Sequence, residues 1–381
     1  MNFRFTDEQH MIVEMVKKMV HEKVLPRAAQ IDRDGEYPED MFELLRDQGL
    51  LGMAIPKEYG GSGSDIVSFC LVLEEIAKVC YNTAYILVMT YVPASCILEA
   101  GNEEQKETYL RRLASGEYRG AFAMTEPNAG SDIAAIRTKA VEEDGSYILN
   151  GSKSFITNST VADFIIVFAK TNPEAGRSGM SAFIVDRNAP GVSIGKIEDK
   201  MGGRGIPSAE VILEDCRVPK QSLLGEVNKG FKIAMRSFNR SRPVIGARAV
   251  GLAQGALDYA VSYAKQREAF GKPISSFQGI QFMIADMAMQ IEAARQLVYK
   301  AAWLVDQGEY GIKAAGIISM AKCFSTDVAM KVSIDAAQIL GAYGYVKDYP
   351  LERYIRDAKS MQIVEGTNQI QRVIIANSLI A

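Results

Sequence analysis

The sequence predicts a mainly helical α+β protein in which a β-rich block separates two helical blocks. Near the start, apolar residues between positions 12 and 20 recur at close to helical spacing. Short runs rich in β-branched and aromatic residues follow, separated by Gly, Asn, Asp and Pro. Long alanine-rich amphipathic stretches, such as 247–264, dominate the remainder. We therefore expect three domains, at residues 1–120, 121–225 and 226–381.

Local signals place individual elements within these blocks. Thr6 is a candidate N-cap for the first helix, because its hydroxyl can accept a hydrogen bond from the opening turn, which carries Gln9. A glycine-rich segment at 56–63 interrupts the first block and fits a flexible connector and a loop beside a ligand equally well. In the middle block, an Asp-Gly pair at 144–145 and an Asn-Gly pair at 150–151 bound two of the predicted strands.

Composition excludes several classes of function. Of 381 residues, 48% are hydrophobic and 23% are charged, which is typical of a globular protein. The net charge of −3 provides no basic surface, so we expect no nucleic-acid partner. The five cysteines form no CxxC pair, and the chain has only two histidines. A zinc site, a dithiol redox motif and a Ser-His-Asp triad are therefore not expected, and no metal is predicted.

The sequence also predicts where the protein is found. Its first residues carry acidic and polar side chains and lack the apolar core of a signal peptide. No run is expected to reach the roughly 20 apolar residues of a membrane span. Scattered thiols fit a reducing compartment. We therefore expect a cytoplasmic protein with no membrane partner.

One polar segment, at 123–132, has the composition of a ligand-binding loop. Thr125 and Ser131 supply hydroxyls, and its turns expose backbone N–H groups. Such a loop can bind a polar ring or a phosphate, although in isolation it also fits an ordinary surface turn. Five further candidate segments follow it in order, at 150–158, 266–272, 338–345, 353–357 and 364–371.

Together these six segments closely resemble the motifs of the acyl-CoA dehydrogenases, and the resemblance extends from about residue 4 to residue 378. It implies a helical N-terminal domain, a middle β-domain that is barrel-like and a C-terminal four-helix bundle. It further implies FAD as the cofactor, a homotetramer, an acyl-CoA substrate and an electron-transferring flavoprotein as the electron acceptor. The sequence contains no separate GxGxxG unit for NAD, which agrees with that acceptor.

The resemblance also implies which residues contact the cofactor. The 123–132 loop and the segment around Phe155 would hold the flavin ring. Arg267 and its neighbours would reach the ADP half of the FAD of a neighbouring subunit, and a guanidinium suits a pyrophosphate. Ala342 replaces the second glycine of a family Gly-Gly pair and is a poorer candidate than Gly341. The matching positions are Phe122, Met124, Thr125, Ser131, Phe155, Thr157, Arg267, Phe270, Gln278, Gln338, Gly341, Thr367 and Gln369.

Glu365 is the predicted catalytic base. Dehydrogenation of an acyl thioester needs a carboxylate to take the α-proton, a polarised carbonyl, and an oxidised flavin to take the β-hydride. Glu365 precedes Gly366, which permits an unusual backbone angle and the close approach of a ligand. The N–H of Glu365 is a candidate oxyanion donor. A minority of the family places the base on an earlier helix, at the position of Ser241, and a serine cannot serve there.

The sequence indicates the acyl group of the substrate less clearly than the catalytic base. The positions that match substrate contacts are Ser131, Asn239, Arg242, Tyr91 and Gly366. Asn239 replaces an aspartate that is usual in the family, so a charged contact is lost. Tyr91 stands where short-chain members tend to have a small residue, so its ring either shapes the acyl pocket or is ordinary helix packing. We expect a short- or medium-chain, branched or alicyclic acyl group.

Other functions stay open at the level of the sequence. The same residues suit an enoyl-CoA reductase that works in the reverse direction, because a sequence does not set the direction. A non-catalytic CoA- or flavin-binding protein is a further alternative, although the intact Glu365 argues against it. An acyl-CoA oxidase is disfavoured because that relative usually has a longer chain.

Overall fold

The structure is a computed structural model that describes residues 4–380, and its N-terminal part is helical. Thr6 caps the first helix as predicted: its Oγ1 accepts from the N–H of Gln9 (3.1 Å), and the Gln9 side chain accepts from the N–H of Thr6 (3.0 Å). The helices of this part are α1 (Asp7–Met19), α2 (Ala28–Asp34), α3 (Glu39–Asp47), α4 (Ile66–Ala77), α5 (Tyr81–Ala100), α6 (Glu103–Gln105) and α7 (Arg111–Ser115).

An eight-stranded sheet forms the middle of the chain. Its strands are β1 (Gly120–Ala123), β2 (Lys139–Glu143), β3 (Ser146–Thr157), β4 (Phe164–Lys170), β5 (Met180–Asp186), β6 (Val192–Ile197), β7 (Ser208–Pro219) and β8 (Leu223–Leu224). Their order in the sheet is β6-β7-β3-β2-β4-β5-β8, with β1 parallel to β4. Within residues 4–380, β6 and β8 are the edge strands at the two ends of this order, and they do not pair with each other. The sheet is therefore open, and the expected barrel-like closure is too strong a description.

The two dipeptides in this sheet differ in conformation. Asp144 and Gly145 both have positive φ (48° and 73°) and connect β2 to β3 as a hairpin turn. Residues 150–151 instead lie inside β3, where the pairing with β7 shifts register. Gly151 has a φ of 154°, and a Cβ there would lie 2.5 Å from Oγ1 of Thr138. The Asn-Gly pair therefore marks a bulge at a close chain contact and not the end of a strand.

The C-terminal part is again helical. It contains α8 (Gly230–Gln266), α9 (Gln278–Asp306), α10 (Ile312–Leu340), α11 (Leu351–Met361) and α12 (Asn368–Ile380), with a short hairpin of β9 (Glu268–Ala269) and β10 (Lys272–Pro273) after α8. Helix α10 packs against the other four helices. The expected C-terminal bundle is thus built around α10, with the short α11 added to it.

Helix α5 links the N-terminal and C-terminal helices through a shared core. It packs against α4 and α8, and its buried apolar residues between positions 81 and 92 belong to one hydrophobic cluster with residues of α8, α9 and α10. By length and hydropathy its 20 residues suffice to cross a membrane, so the expectation that no run approaches such a span is wrong. In this fold, however, 83% of its apolar window is buried by protein, which is the environment of a core helix.

A buried ion pair fastens the 123–132 loop to the sheet. Lys153 on β3 has no solvent exposure, and its Nζ donates to Oε1 of Glu126 (2.7 Å). Glu126 also accepts from the backbone N–H groups of Arg137 (2.6 Å) and Thr138 (3.0 Å). Burial lowers the pKa of Lys153 to about 8, while the charge of Glu126 opposes that change. Removing either partner would leave the other charge buried without compensation.

We predict that Lys153→Met lowers the free energy of unfolding by about 3 kcal/mol, since an uncompensated carboxylate stays buried. The double variant Lys153→Met with Glu126→Gln should recover most of that loss, because no buried charge remains. Urea unfolding of the single and the double variant measures both effects. Lys220→Met, which removes an exposed pair with Glu142, is the control and should change little. Unfolding of Lys153→Met at the parental urea concentration would contradict this assignment.

Candidate active site

Glu365 lies in the turn between α11 and α12, in a backbone conformation that is uncommon for a non-glycine residue. Its φ is 55° and that of Gly366 is 87°. Nε2 of Gln371 donates to the carbonyls of Glu365 (3.1 Å) and Gly366 (2.9 Å), and Nζ of Lys322 donates to the carbonyl of Gly366 (3.0 Å). Within residues 4–380 the N–H of Glu365 has no backbone acceptor. The turn therefore presents a free N–H beside the carboxylate.

Two buried side chains, Lys322 and Asn368, support that turn. Lys322 on α10 has no solvent exposure and also donates to Oδ1 of Asn368 (3.0 Å). Nδ2 of Asn368 donates in turn to Oδ1 of Asp327 (2.7 Å). Burial lowers the pKa of Lys322 to about 7, while the negative charge of Glu365 opposes this. Helix α10 thus delivers a desolvated amine directly to the backbone of the Glu365 turn.

The carboxylate of Glu365 meets α8. Oγ of Ser241 donates to its Oε2 (2.5 Å). Burial raises the pKa of the Glu365 carboxyl group above its ordinary value. The effects that oppose this rise are, in decreasing order, the hydrogen bond from Ser241 and the charges of Arg242, Lys322 and Arg248. A desolvated carboxylate with a raised pKa is a better proton acceptor near neutral pH than an exposed one.

Arg242, the residue after Ser241, is buried next to the same turn. Its Nη1 donates to Oδ1 of Asn239 (2.9 Å), and its Nε has no acceptor among the described residues. Burial lowers the pKa of Arg242 to about 10, and the charge of Glu365 opposes that change. A Cβ at Gly366 would lie 3.8 Å from Nη2 of Arg242. The predicted substrate residues Asn239, Arg242 and Gly366 therefore lie together around the carboxylate.

The 123–132 loop is joined to this region through β1 and β3. The ring of Phe122 packs on Phe238 of α8, with centroids 5.3 Å apart. The carbonyl of Thr125 accepts a backbone hydrogen bond from β3 (2.9 Å). Phe155 then follows on β3 with a φ of 58° and a side chain that is 63% exposed. An exposed aromatic ring in this strained conformation leaves an apolar face free for a planar ligand.

Comparison with known proteins identifies the family. Sequence profiles of the N-terminal, middle and C-terminal domains of acyl-CoA dehydrogenases match residues 6–117, 121–216 and 228–380. The chain belongs to the acyl-CoA dehydrogenase family.

Individual relatives cover nearly the whole length of this acyl-CoA dehydrogenase family member. An acyl-CoA dehydrogenase of Bacillus subtilis is 48% identical over 376 residues, or 98% of both chains. The acryloyl-CoA reductase (NADH) of Anaerotignum propionicum is 45% identical over 100% of this chain and 96% of the reductase. Butyryl-CoA dehydrogenase from Megasphaera elsdenii has a TM-score of 0.97 at 42% identity, covering 100% of both chains. A chain in the structure described as the electron transferring flavoprotein of Acidaminococcus fermentans has a TM-score of 0.97 at 46% identity, covering 100% of this chain and 99% of its own.

Several positions that match cofactor contacts of the family lie far from Glu365. Arg267 follows α8 directly, roughly 40 Å along that helix from Ser241. Phe270 is 95% exposed and has a φ of 53°. The other exposed positions away from Glu365 are Gln278, Gln338 and Gly341. Gln338 and Gly341, at the end of α10, lie roughly 24 Å or more along that helix from Lys322, which contacts the Glu365 turn, so within one chain they and Arg267 are not brought to it.

The remaining cofactor positions lie on the loop, on β3 and at the start of α12. Met124 is buried, Thr125, Thr157 and Thr367 are partly exposed, and Ser131 and Gln369 are exposed. All of them except Met124 leave at least part of a polar side chain open to a ligand.

Tyr91 lies on α5 between α4 and the part of α8 that carries Arg240. Its ring packs on Phe69 of α4 with centroids 5.4 Å apart, and its buried hydroxyl has no partner among residues 4–380. Two α5 residues meet the part of α8 near Ser241: the hydroxyl of Ser95 contacts Oγ of Ser237, and Sγ of Cys96 lies 3.1 Å from the same atom. This placement favours the packing interpretation of Tyr91, and its effect on the acyl pocket stays a prediction.

The sequence reasoning missed Lys322 and Gln371 and considered Ser241 only as an unsuitable base. Lys322 carried a usable signal, because it is a lone charge in the apolar run of α10 between Ile317 and Cys323. Ser241 and Gln371 carried none, since their roles depend on partners that only the fold brings near.

A cavity of about 510 Å³ lies elsewhere, between α2 and α11. It surrounds an ion pair in which Arg356 donates to both carboxylate oxygens of Asp32 (2.9 and 2.7 Å). Its lining includes neither Glu365 nor the 123–132 loop. This cavity therefore contains a structural ion pair and not the predicted base. We assign the catalytic centre from the chemistry of the residues around Glu365 and not from cavity size.

We predict that Ser241→Ala moves the acid limb of the kcat/KM profile to higher pH. The hydrogen bond from Ser241 lowers the pKa of Glu365, so its loss lets burial raise that pKa further. With Glu365 as the predicted base, activity would require the unprotonated carboxylate and would be lost as pH falls through this pKa. Ser333→Ala on α10 is the control, because among the described residues the Ser333 hydroxyl bonds only to the carbonyl of Ala329 in its own helix. An unmoved acid limb would separate Ser241 from the ionisation that matters.

Proposed function

We propose that this chain catalyses the FAD-dependent α,β-dehydrogenation of an acyl-CoA thioester with Glu365 as the base. The observation that carries the proposal is a partly buried carboxylate with a raised pKa that accepts from Ser241 and lies beside a free backbone N–H. These are the two groups that α-proton removal from a thioester requires, since one takes the proton and the other stabilises the carbonyl oxygen.

Each part of the turn has a role in this reaction. The Glu365 carboxylate takes the proton from the α-carbon as the α,β double bond forms. FAD, when bound, accepts the hydride from the β-carbon. The Glu365 N–H donates to the thioester carbonyl, where negative charge develops. Gln371 donates hydrogen bonds to the carbonyls of Glu365 and Gly366, and Lys322 donates to that of Gly366. These bonds keep the turn in its strained conformation, so that its N–H stays directed towards the ligand.

The residues present fit FAD. Phe155 offers an exposed ring, and Thr125 and Thr157 offer hydroxyls beside it for the polar edge of a flavin. Gly341 has a φ of 60° and open space where a side chain would begin, which permits a close approach of an adenosine. Arg267 supplies a guanidinium for the pyrophosphate. Because Arg267 lies so far from the Glu365 turn, it would act on the FAD of a neighbouring subunit.

The electron acceptor that we propose is an electron-transferring flavoprotein. The similar chain in the Acidaminococcus fermentans structure supports this, since its description names such a partner. We also propose a cytoplasmic location, supported by five cysteines that are all free and buried. For the acyl group we propose a short or medium chain, a branched chain or a ring, and the butyryl-CoA dehydrogenase relative supports the short-chain option.

The reverse reaction, reduction of an enoyl-CoA, is the second candidate. The acryloyl-CoA reductase of Anaerotignum propionicum favours it. In that direction Glu365 would return a proton to the α-carbon, so the same residue would serve as the acid. A non-catalytic role is opposed by the desolvated state of Glu365, because a carboxylate with no task is normally left in water.

Glu365→Gln tests the proposal. The amide keeps the size of the side chain and the backbone N–H but cannot accept the proton. We expect flavin reduction by an acyl-CoA substrate to slow by roughly a hundred- to ten-thousandfold, with FAD content and acyl-CoA binding retained. Stopped-flow absorbance of the flavin under anaerobic conditions measures the rate. Glu309→Gln, an exposed glutamate, is the control. Reduction of Glu365→Gln at the parental rate would show that another acid is the base.

Assembly gives a second test. We expect a homotetramer in which Arg267, Phe270 and Gln278 of one subunit bind the FAD of another. Arg267→Ala should then lower the FAD content without altering the isolated Glu365 turn, because the pyrophosphate loses its guanidinium. Sedimentation velocity and the ratio of flavin to protein absorbance measure the two properties. A monomer that holds one FAD per chain would contradict the shared site.

A further inference from the structure

Arg248 on α8 is a guanidinium with no hydrogen-bond acceptor. Its residue exposure is 0%, and among residues 4–380 none of its three nitrogens has a partner. An arginine side chain stays charged in a protein, and a buried charge without an acceptor is costly. Arg295 on α9 shows how such a charge is usually compensated, since it donates to a carboxylate oxygen of Glu74 (2.9 Å). No carboxylate among residues 4–380 forms a corresponding hydrogen bond with Arg248.

Two tyrosine rings of α5 hold the guanidinium in place. Its Cζ lies 4.4 Å from the ring centroid of Tyr81 and 4.0 Å from that of Tyr85. The hydroxyl of Tyr81 pairs with Oγ of Ser360 (2.6 Å), so this tyrosine offers its face to Arg248 and not its oxygen. Cation–π contact fixes the plane of a guanidinium but leaves the N–H donors on its edge unused.

The position of Arg248 relative to Glu365 indicates which group the N–H donors of its guanidinium can bind. Arg248 follows Ser241 by seven residues, which is two helical turns and about 10 Å along the same face of α8. At the other end, Ser237 meets Cys96 of α5. Cys96 precedes the end of α5 while Tyr81 and Tyr85 lie at its beginning, so α5 and α8 run antiparallel beside each other. Glu365 meets α8 between these two contacts, and the charge of Arg248 contributes to the ionisation of its carboxyl group.

We infer that Arg248 binds the distal carboxylate of a dicarboxylic acyl group, so that the substrate is the CoA monothioester of a short dicarboxylic acid. The inference rests on the proposed function, since it places the α-carbon at Glu365. A carboxylate matches the fork of N–H donors on a guanidinium and supplies the missing negative charge. An apolar acyl chain would leave that charge uncompensated. The roughly 10 Å between the two positions on α8 suits an acyl group of about five carbons together with the two side chains.

Binding and turnover of matched thioesters test this inference. Succinyl-, glutaryl- and adipyl-CoA are compared with butyryl-, valeryl- and hexanoyl-CoA, which have the same carbon counts. Calorimetric titration of the Glu365→Gln holoenzyme measures affinity without turnover, and flavin reduction of the parent enzyme measures the reaction. We expect the best dicarboxylic thioester to bind at least about thirtyfold more tightly than its monocarboxylic counterpart, as for a buried charge pair.

Variants assign the preference to one residue. In the same background, Arg248→Met should abolish the dicarboxylic preference and leave valeryl-CoA binding equal or stronger. Arg248→Lys should keep part of the preference, because it retains the charge but not the fork. Arg236→Met removes an exposed arginine of α8 that pairs with Glu99 and should keep the full preference. If Arg248→Met fails to fold, the six thioesters tested on the parent enzyme and on Arg248→Lys still test the inference.

The outcomes separate the two proposals. Equal binding of valeryl- and glutaryl-CoA would overturn the inference. Arg248 would then only fill the end of the acyl pocket. A dicarboxylic preference that survives in Arg248→Met would also overturn it. Tight dicarboxylic binding without flavin reduction by any thioester would refute the proposed dehydrogenation while supporting the assignment of Arg248.

Discussion

A carboxylate that has to be both desolvated and able to ionise is the constraint on which this structure depends. Burial raises the pKa of Glu365, and one hydrogen bond with three nearby cations limits that rise. Without burial, the group would be a weak base. Without the cations and Ser241, burial would raise that pKa further and favour the protonated form, which cannot accept a proton. The separate helices are needed because these opposing effects come from groups that are distant in the chain.

The helices meet this constraint with different kinds of contact. Helix α8 supplies the hydroxyl of Ser241 to the carboxylate, whereas α10 and α12 supply Lys322 and Gln371 to the backbone of the turn. The contacts with the backbone keep a positive φ at Glu365 that would otherwise relax. The shared core of α5, α8 and α10 makes the arrangement rigid, because buried helices cannot shift without opening cavities.

The sequence predicted most of the architecture and only part of the site, for one physical reason. Helical periodicity, the Thr6 cap and the Asp144-Gly145 turn are local properties, and each was confirmed in the fold. Closure of the sheet and the bulge at Gly151 depend on which strands meet, so the barrel-like description was too loose and the strand boundary at 150–151 was wrong. Glu365 was identified through its motif, whereas Ser241 and Lys322 act through partners that are 124 and 44 residues away.

The balance of charge around Glu365 extends the argument from the base to the substrate. Arg242, Lys322 and Arg248 all act on one carboxylate, so the buried centre contains more cationic than anionic groups. In the proposed reaction part of this excess has a use, because removal of the α-proton would place negative charge on a thioester carbonyl next to the turn. Lys322 and Arg242 lie close enough to the turn to stabilise that charge. Arg248 is two helical turns further along α8, so its charge is better matched to the far end of the acyl group than to the reacting carbonyl.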